Sequence, residues 1–309
     1  MKIVYMGTPD FAVEPLKRLI EMGEEIVCVV TQPDKVKGRG KDLSQSPVKE
    51  CALKYGIPVI QPVKIREEQW VTLLREYNAD LFVVAAFGQI LSKEILEMPK
   101  WGCINIHASL LPKYRGAAPI QWCILNGETE TGVTIQQMAE GVDTGDILLQ
   151  SKINIEKTDT GESLFDKLMY VGADLVCEAV KKIADGTISA VKQDESEATH
   201  VGKITKELGK INWCDDAAKI ERFVRGLNSW PSAYTYLNNK TFKIWKSEVV
   251  SGECDGSCGT VTEVSKDSFT VKTGKELLRV TEVQLEGKKR MSVHDFLLGY
   301  TLSKGEILG

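Results

Sequence analysis

The first 186 residues alternate short apolar runs with longer amphipathic stretches. The apolar runs cover residues 2–6, 26–32, 58–62, 80–87, 103–107 and 133–138. Between them, residues 66–77 and 163–184 space their apolar side chains at helical intervals. This alternation predicts a doubly wound, Rossmann-like α/β domain, in which helices cover a mostly parallel sheet. Ligands of such sheets bind beyond the carboxyl ends of the strands.

The pattern changes after residue 186. Residues 187–200 are polar and predict a connection between domains, and residues 215–227 predict an amphipathic helix. Five short runs of β-forming residues follow, at 233–237, 241–245, 259–264, 269–273 and 277–283. Turn residues separate these runs, so we expect a small β-barrel of the OB type. The predicted organisation is an α/β domain over 1–189, a linker over 190–206 and a C-terminal β-barrel over 207–309.

Composition narrows the class of protein. Of the 309 residues, 43% are hydrophobic and 27% are charged, and the net charge is −4, all typical of soluble globular proteins. The longest apolar run, 81–87, is too short to cross a bilayer, and the N-terminus has no signal-peptide pattern. We therefore expect a cytoplasmic monomer with no membrane partner. Eight scattered cysteines and three histidines predict neither a disulfide framework nor a metal site.

Two polar pieces of sequence follow buried strands and carry the candidate chemistry. If the isoleucines on either side of Asn105 face the core, strand alternation puts Asn105 and His107 together on the opposite face. The second piece is the glycine-flanked acidic loop 141–146, which contains Asp143 and follows the run 133–138. Taken singly, the pair is also typical of polar strand ends, and the loop of a plain or calcium-like turn.

These residues resemble a known family. The run NIHASLLP at 105–112, with RG at 115–116 and DTG at 143–145, resembles the folate-dependent formyltransferases. That family includes enzymes acting on glycinamide ribonucleotide, sugar amines and methionyl-tRNA, together with formyl-tetrahydrofolate hydrolases. Further matches point to the methionyl-tRNA branch: GTPDFA at 7–12, TQPD at 31–34, GRGK at 38–41, SPVK at 46–49 and NSWP at 228–231. The resemblance runs from residue 1 to about residue 298.

The resemblance implies a transferase that moves the formyl group of 10-formyltetrahydrofolate to the amino group of initiator methionyl-tRNA. It assigns the catalytic roles to Asn105, His107 and Asp143. Asn105 and His107 donate hydrogen bonds to the oxygen that becomes negative when the amine attacks the formyl carbon. Asp143 can hold His107 and can receive the proton of the attacking nitrogen, directly or through water, while the sequence leaves open which residue handles each proton. This chemistry needs no metal ion.

The resemblance also implies a folate pocket between the loop after the fourth strand and the loop that leads to Asp143. An apolar slot with exposed backbone groups suits a flat heterocycle. The predicted pocket residues are Phe87, Gly88, Gln89, Ile90, Leu91, Ser109, Leu110, Leu111, Pro112, Met138 and Gly141. The alternative interpretation is that the aliphatic members of this set are simple core residues.

Basic residues are the candidates for a tRNA contact. The loop 34–41 is basic and interrupted by glycines, and the resemblance places it near the acceptor end of the tRNA. The predicted tRNA-binding residues are Lys35, Lys37, Arg39 and Lys41 in this loop, and Lys203, Lys206 and Lys210 at or just beyond the end of the predicted linker. A solvated basic surface is the alternative interpretation.

Two competing functions share part of this pattern. A related folate enzyme acting on a nucleotide-linked amino sugar would keep the three catalytic residues. It would not need the basic loop or a barrel compatible with RNA. A non-catalytic RNA-binding protein built on the same scaffold would not need the three catalytic residues, whose presence argues against it.

Overall fold

The computed structural model describes residues 1–37, 42–252 and 254–309. The chain divides into two compact units. Unit 1 comprises residues 1–119, 130–154 and 165–201, and unit 2 comprises residues 120–129, 155–164 and 202–309. Segments 120–129 and 155–164 thus group with the C-terminal part of the chain. Within the described residues, no helix is both long and apolar enough to span a membrane.

Eleven strands and six helices precede residue 202 in the described part of the chain. The strands are β1 Lys2–Gly7, β2 Glu25–Val30, β3 Lys35–Lys37, β4 Asp42–Ser44, β5 Val59–Ile60, β6 Leu81–Ala85, β7 Cys103–His107, β8 Arg115–Gly116, β9 Glu130–Gln137, β10 Ile147–Asn154 and β11 His200–Val201. The helices are α1 Val13–Glu21, α2 Pro47–Lys54, α3 Glu68–Glu76, α4 Lys93–Leu96, α5 Pro119–Asn126 and α6 Gly161–Ala184. The predicted helices and strands of this half therefore form, with ends shifted by a few residues.

The main sheet of unit 1 has seven strands in the order β10-β9-β7-β6-β1-β2-β5. Strands β5, β2, β1, β6 and β7 are parallel, whereas β9 and β10 are antiparallel to their neighbours. The predicted doubly wound, mostly parallel sheet is confirmed. Strand β10 was not predicted, because this edge strand exposes alternate side chains and carries only a weak apolar signal.

A close helix contact fixes which face of β7 is apolar. A Cβ atom added to Gly172 on α6 would lie 3.0 Å from Cγ2 of Ile106. A larger residue at this position would press on that methyl group, so glycine allows the helix backbone to approach the strand closely. Because successive side chains of a strand alternate, Asn105 and His107 point to the face of the sheet away from α6. The predicted alternation in β7 is thus confirmed.

Unit 2 is built on an antiparallel sheet. Its elements are α7 Ala217–Gly226, β12 Ala233–Leu237, β13 Lys240–Val250, β14 Val261–Val264, β15 Phe269–Lys272, β16 Leu277–Leu285, β17 Met291–Ser292 and α8 Val293–Gly299. The strand order is β12-β13-β16-β15-β14, and β17 pairs with β16. The five predicted strands are present, and β13 is longer than its pattern suggested.

Three buried phenylalanines form the centre of the unit 2 core. The ring of Phe242 lies 6.1 Å from that of Phe269 and 5.2 Å from that of Phe296, measured between ring centres. Phe242 has no solvent exposure. Aromatic rings at these separations add specific contacts to the burial of apolar surface.

Substitution of Phe242 by alanine should destabilise the protein. We expect Phe242→Ala to lower the free energy of unfolding by about 3–5 kcal/mol, because it removes a fully buried ring and leaves a cavity. Urea denaturation followed by tryptophan fluorescence measures the change. Leu298→Ala is the control, since Leu298 is 77% exposed. Equal stability of the two variants would contradict this account of the core.

Candidate functional site

The pairing of β7 with β9 gathers polar side chains on one face of the sheet. Asn105 lies opposite Gln136, and His107 lies opposite Thr134. Directly opposed residues of an antiparallel pair share a face and have neighbouring Cβ atoms. His107 is buried and Asn105 is half-buried. The two predicted catalytic residues of this strand therefore stand in a polar row of four.

Asp143 reaches the same place from the loop after β9. It adopts a left-handed backbone conformation, with φ of 54°. Its Oδ2 accepts a hydrogen bond from the Gly116 backbone N–H at 2.8 Å, and its Oδ1 accepts one from Gln136 Nε2 at 2.8 Å. His107 Nδ1 lies 3.6 Å from Oδ1, too far for a hydrogen bond but near enough for a strong charge interaction. The structure thus brings His107 and Asp143 together.

The hydrogen bonding of His107 determines which nitrogen faces the carboxylate. Nε2 of His107 lies 3.0 Å from the backbone oxygen of Tyr114. A carbonyl oxygen can only accept, so Nε2 carries a proton and donates it. Nδ1 is then the nitrogen that faces Asp143. The imidazole and the carboxylate thus stand side by side, each held by its own hydrogen-bonding partners.

Asn105, one of the four polar residues on this face of the sheet, has a side chain that is available to bind a ligand. Within the part of the chain that the structure describes, its amide makes no hydrogen bond to another residue. A half-buried amide without a protein partner retains its full capacity to donate and accept. This amide is suited to a substrate oxygen that develops negative charge.

A buried arginine connects the polar segment after α6 to the Asp143 loop. Arg115 is only 2% exposed and donates two hydrogen bonds to the Glu195 carboxylate, at 2.7 and 2.9 Å. It donates two more to Gln193 Oε1, at 2.8 and 3.0 Å. Gln193 Nε2 in turn donates to the backbone oxygens of Asp143 and Gly145, at 2.8 and 2.6 Å. The segment predicted as a simple connection therefore fixes the loop that carries Asp143.

Charge complementarity strengthens this arrangement. The hydrogen bonds that Arg115 donates to Glu195 raise the pKa of Arg115 above its ordinary value and hold the pKa of Glu195 below its ordinary value. A guanidinium that donates in pairs to a carboxylate gives a directional and comparatively strong contact. Because Arg115 is buried, this partner compensates part of its cost of desolvation.

The predicted folate residues divide into buried and accessible members. Phe87, Leu91 and Leu111 are 2–4% exposed, whereas Ile90 is 62% exposed. Gly88 and Gly141 are exposed, and Gln89, Leu110, Pro112 and Met138 are half-buried. The exposed and half-buried members are open to solvent, whereas Phe87 and Leu91 belong to the hydrophobic core. Assignment of this set to folate stays a prediction.

Two predicted folate residues have side chains that are already engaged. Gln89 accepts a hydrogen bond from the Ile65 backbone at 2.8 Å and donates one to the Pro62 oxygen at 2.9 Å. Ser109, which is buried, donates from Oγ to the Lys113 oxygen at 2.7 Å. Both side chains therefore hold their own loops in place. A ligand would contact Gln89 and Ser109 through backbone groups.

The predicted tRNA-binding residues are spread over both units. Lys35, Lys203, Lys206 and Lys210 are exposed, Lys37 ends β3, and Arg39 and Lys41 lie outside the described residues. Lys210 Nζ stands 5.4 Å from the ring centre of Tyr236, a cation–π contact. Among the residues described, no group of three or more His, Cys, Asp and Glu is placed to hold a metal ion.

Sequence reasoning missed Gln136 and Gln193. For Gln136 a signal was present, because Thr134 and Gln136 alternate with apolar neighbours as Asn105 and His107 do. For Gln193 there was none, since 50 residues separate it from Asp143. Contacts over such distances along the chain arise only when the fold has formed.

Comparisons with known proteins place the whole chain in a family. The formyl transferase family model matches residues 1–180, and the model of the formyl transferase C-terminal domain matches residues 203–301. A methionyl-tRNA formyltransferase from Agathobacter rectalis is 55% identical over 305 residues, covering 99% of this chain and 98% of that relative. One from Clostridioides difficile is 48% identical over 309 residues, with full coverage of both chains.

Solved structures share the fold. WlaRD, a sugar 3N-formyl transferase crystallised in the presence of dTDP and 5-N-formyl-THF, has a TM-score of 0.67 at 23% identity, covering 94% of this chain and 99% of its own. HypX from Aquifex aeolicus, in complex with tetrahydrofolic acid, has a TM-score of 0.65 at 18% identity, covering 97% of this chain and 47% of its own. Identities this low establish the fold alone. The full-length relatives and the two family models lead to one conclusion: the chain belongs to the methionyl-tRNA formyltransferases of the formyl transferase family.

Proposed function

We propose that this chain transfers the formyl group of 10-formyltetrahydrofolate to the methionine amino group of initiator methionyl-tRNA. The product is the N-formylmethionyl-tRNA used in translation initiation, and we expect the enzyme to act in the cytoplasm as a monomer. The observation that carries the proposal is the unpartnered Asn105 amide beside the buried His107–Asp143 pair. The full-length relatives named for this reaction support the choice of acceptor.

Asn105 is the proposed donor to the formyl oxygen. When a neutral amine attacks the formyl carbon, the carbonyl oxygen becomes negative and needs a donor that is already in position. The Asn105 amide has no competing partner among the described residues, so it needs no rearrangement to donate. His107 contributes positive charge nearby once Nδ1 is protonated, while Nε2 remains bound to the Tyr114 oxygen.

Asp143 is the proposed acceptor of the proton that leaves the attacking nitrogen. Each of its carboxylate oxygens accepts one N–H in the structure and keeps a second lone pair. When its Nδ1 carries a proton, His107 stabilises the charge of Asp143 from 3.6 Å. The pair thereby holds the proton until the nitrogen of the departing folate takes it, which is general acid–base catalysis without a metal ion.

The binding surfaces follow from the accessible residues near this centre. We propose that Ile90 and the backbone of 87–91 and 138–141 line the folate, because Ile90 is an exposed apolar side chain and Gly88 and Gly141 leave the main chain accessible. The tRNA contacts are assigned to the basic loop with Arg39 and to the lysines at 203, 206 and 210.

Loss of any catalytic side chain should reduce turnover strongly. We expect Asn105→Ala, His107→Ala and Asp143→Ala each to lower the single-turnover rate by about a hundredfold or more, as for loss of a donor to a developing oxyanion. Rapid-quench assays with formyl-tetrahydrofolate and methionyl-tRNA measure the rate, and thermal unfolding checks the fold. Asn154→Ala, at an exposed asparagine that ends β10, is the control. A folded His107→Ala variant with full activity would contradict the mechanism, and use of a nucleotide-linked amino sugar instead of methionyl-tRNA would contradict the acceptor.

The Gln193 contact should matter for activity although Gln193 is far from Asp143 in sequence. Gln193→Glu keeps the acceptor for Arg115 and replaces the donor to the Asp143 and Gly145 oxygens by a negative oxygen. We expect the single-turnover rate to fall about tenfold, because losing about one hydrogen bond's free energy displaces the loop. Asp194→Asn is the control, since the Asp194 side chain bonds only to Ser196 in the described structure. Unchanged activity in Gln193→Glu would show that the loop does not depend on this contact.

The lysines at 203, 206 and 210 should contribute to tRNA affinity. Replacing all three by glutamine should reduce the slope of log affinity against log salt by up to about 2–3, because each phosphate contact releases bound counterions. Titration of labelled tRNA across a salt series measures the slope. A triple variant at Lys93, Lys152 and Lys182, whose side chains are 67%, 65% and 42% exposed, changes the net charge equally and is the control. Equal slopes for the two triple variants would remove these residues from the proposed tRNA contact.

A further inference from the structure

Gln136 is a polar side chain of the site to which the proposed reaction gives no role. It lies on β9 directly opposite Asn105 and is only 2% exposed. Its Nε2 donates a hydrogen bond of 2.8 Å to Asp143 Oδ1. The amide must be oriented this way while Asp143 is ionised, because the opposite orientation would set the Gln136 oxygen against a carboxylate oxygen.

The other end of the same amide has no partner. Gln136 Oε1 is buried and accepts no hydrogen bond within the described structure. Leaving a buried carbonyl unpaired is costly, and an apolar residue of similar length would avoid that cost at this strand position. The chain therefore places an unused acceptor next to the carboxylate that is proposed to take up a proton.

The Asp143 carboxylate is held by neutral donors on both oxygens. Gly116 N–H bonds to Oδ2, and Gln136 bonds to Oδ1, the oxygen that also faces His107 Nδ1 at 3.6 Å. Protonation of Oδ1 would turn it from an acceptor into a donor, so the bond from Gln136 Nε2 would lose one of its acceptor lone pairs. The unpaired oxygen of the amide is the group that a protonated Oδ1 requires.

We propose that Gln136 is a positioning residue that follows the protonation state of Asp143. It donates through Nε2 while Asp143 is charged, and it accepts at Oε1, after a half-turn of the amide, when Oδ1 carries the proton. In that step the N–H bond of the attacking amine breaks, its electron pair stays on nitrogen, and an O–H bond forms at Oδ1. The proton then passes to the nitrogen of the departing folate, and the amide turns back.

Other charges around the carboxylate stay constant when Gln136 is changed. His107 on β7 faces Oδ1, and Arg115 on β8 interacts with Asp143 through charge while it remains bound to Glu195. None of these groups hydrogen-bonds to Gln136 in the described structure. An effect of changing Gln136 on the pH dependence of the rate is therefore attributable to its contact with Asp143.

The inference rests on the proposed role of Asp143 and can be tested with matched variants. Gln136→Met keeps the length of the side chain and removes both donor and acceptor. Gln137→Met makes the same change one residue further along β9, on the opposite face, where the amide reaches only the Trp101 oxygen at 3.5 Å. We expect the single-turnover rate to fall about tenfold in Gln136→Met, the usual effect of one lost hydrogen bond, and less than about twofold in Gln137→Met.

The pH profile separates this role from simple packing. Without the neutral donor, the charged form of Asp143 is less favoured, so the acid limb of the rate should move to higher pH in Gln136→Met. Titration of the substrate amine is common to all variants and cancels in the comparison. In Gln136→Glu, the rate should be low near neutral pH and approach that of the unmodified protein as the pH falls, because a protonated glutamate again supplies a donor. Gln136→Glu also serves if Gln136→Met does not fold.

A double-variant cycle distinguishes failure of this inference from failure of the proposed mechanism. If Gln136 acts through Asp143, adding Gln136→Met to Asp143→Asn should cause almost no further loss of rate. Full activity of Asp143→Asn would overturn the proposed mechanism itself. An impaired Asp143→Asn together with an active Gln136→Met, an unshifted acid limb, or strictly additive losses would overturn the role of Gln136 alone.

Discussion

The register between β7 and β9 is the constraint on which the site depends. Asn105 faces Gln136 and His107 faces Thr134 because the two strands pair at this register and no other. A slip of β7 by one residue would turn Asn105 and His107 toward the core and the isoleucines of β7 toward the ligand face, while Thr134 and Gln136 stayed where they are. Contact of Ile106 with α6 at Gly172 prevents that slip, so packing on one face positions the chemistry on the other.

The second constraint is the stabilisation of two charged side chains, Arg115 and Asp143, that are largely shielded from water. Arg115 is buried and the Asp143 carboxylate is enclosed by donors, while Glu195, the ionic partner of Arg115, is largely exposed. Neutral amides connect the two charged groups: Gln193 links Arg115 to the Asp143 loop, and Gln136 contacts the carboxylate itself. Buried charges are tolerated when each has hydrogen-bonding partners of this kind. The same network fixes the Asp143 loop, so that the carboxylate lies 3.6 Å from Nδ1 of His107.

Periodicity was sufficient to predict most of the secondary structure. The run at 103–107 became β7 with the predicted ends, and the run at 233–237 became β12 in the same way, because strong alternation and flanking turn residues leave few other choices. Strand β10 was not predicted, since an edge strand with one solvent-exposed face has few apolar residues. The grouping of segments 120–129 and 155–164 with the C-terminal unit could not be predicted from the sequence pattern either, because it depends on contacts between distant parts of the chain.

The sequence by itself determined the fold class, the pairing of Asn105 with His107 on one strand face, and the motif by which the chain resembles its family. Local alternation and short-range spacing encode these features. Only the tertiary structure decided that Asp143 is held by Gln136 and Gly116, that His107 presents Nδ1 to it, and that Gln193 holds the loop from 50 residues away. Such contacts join residues whose separation along the chain carries no periodic signal, so they exist only once strand register and loop closure bring the groups within hydrogen-bonding distance.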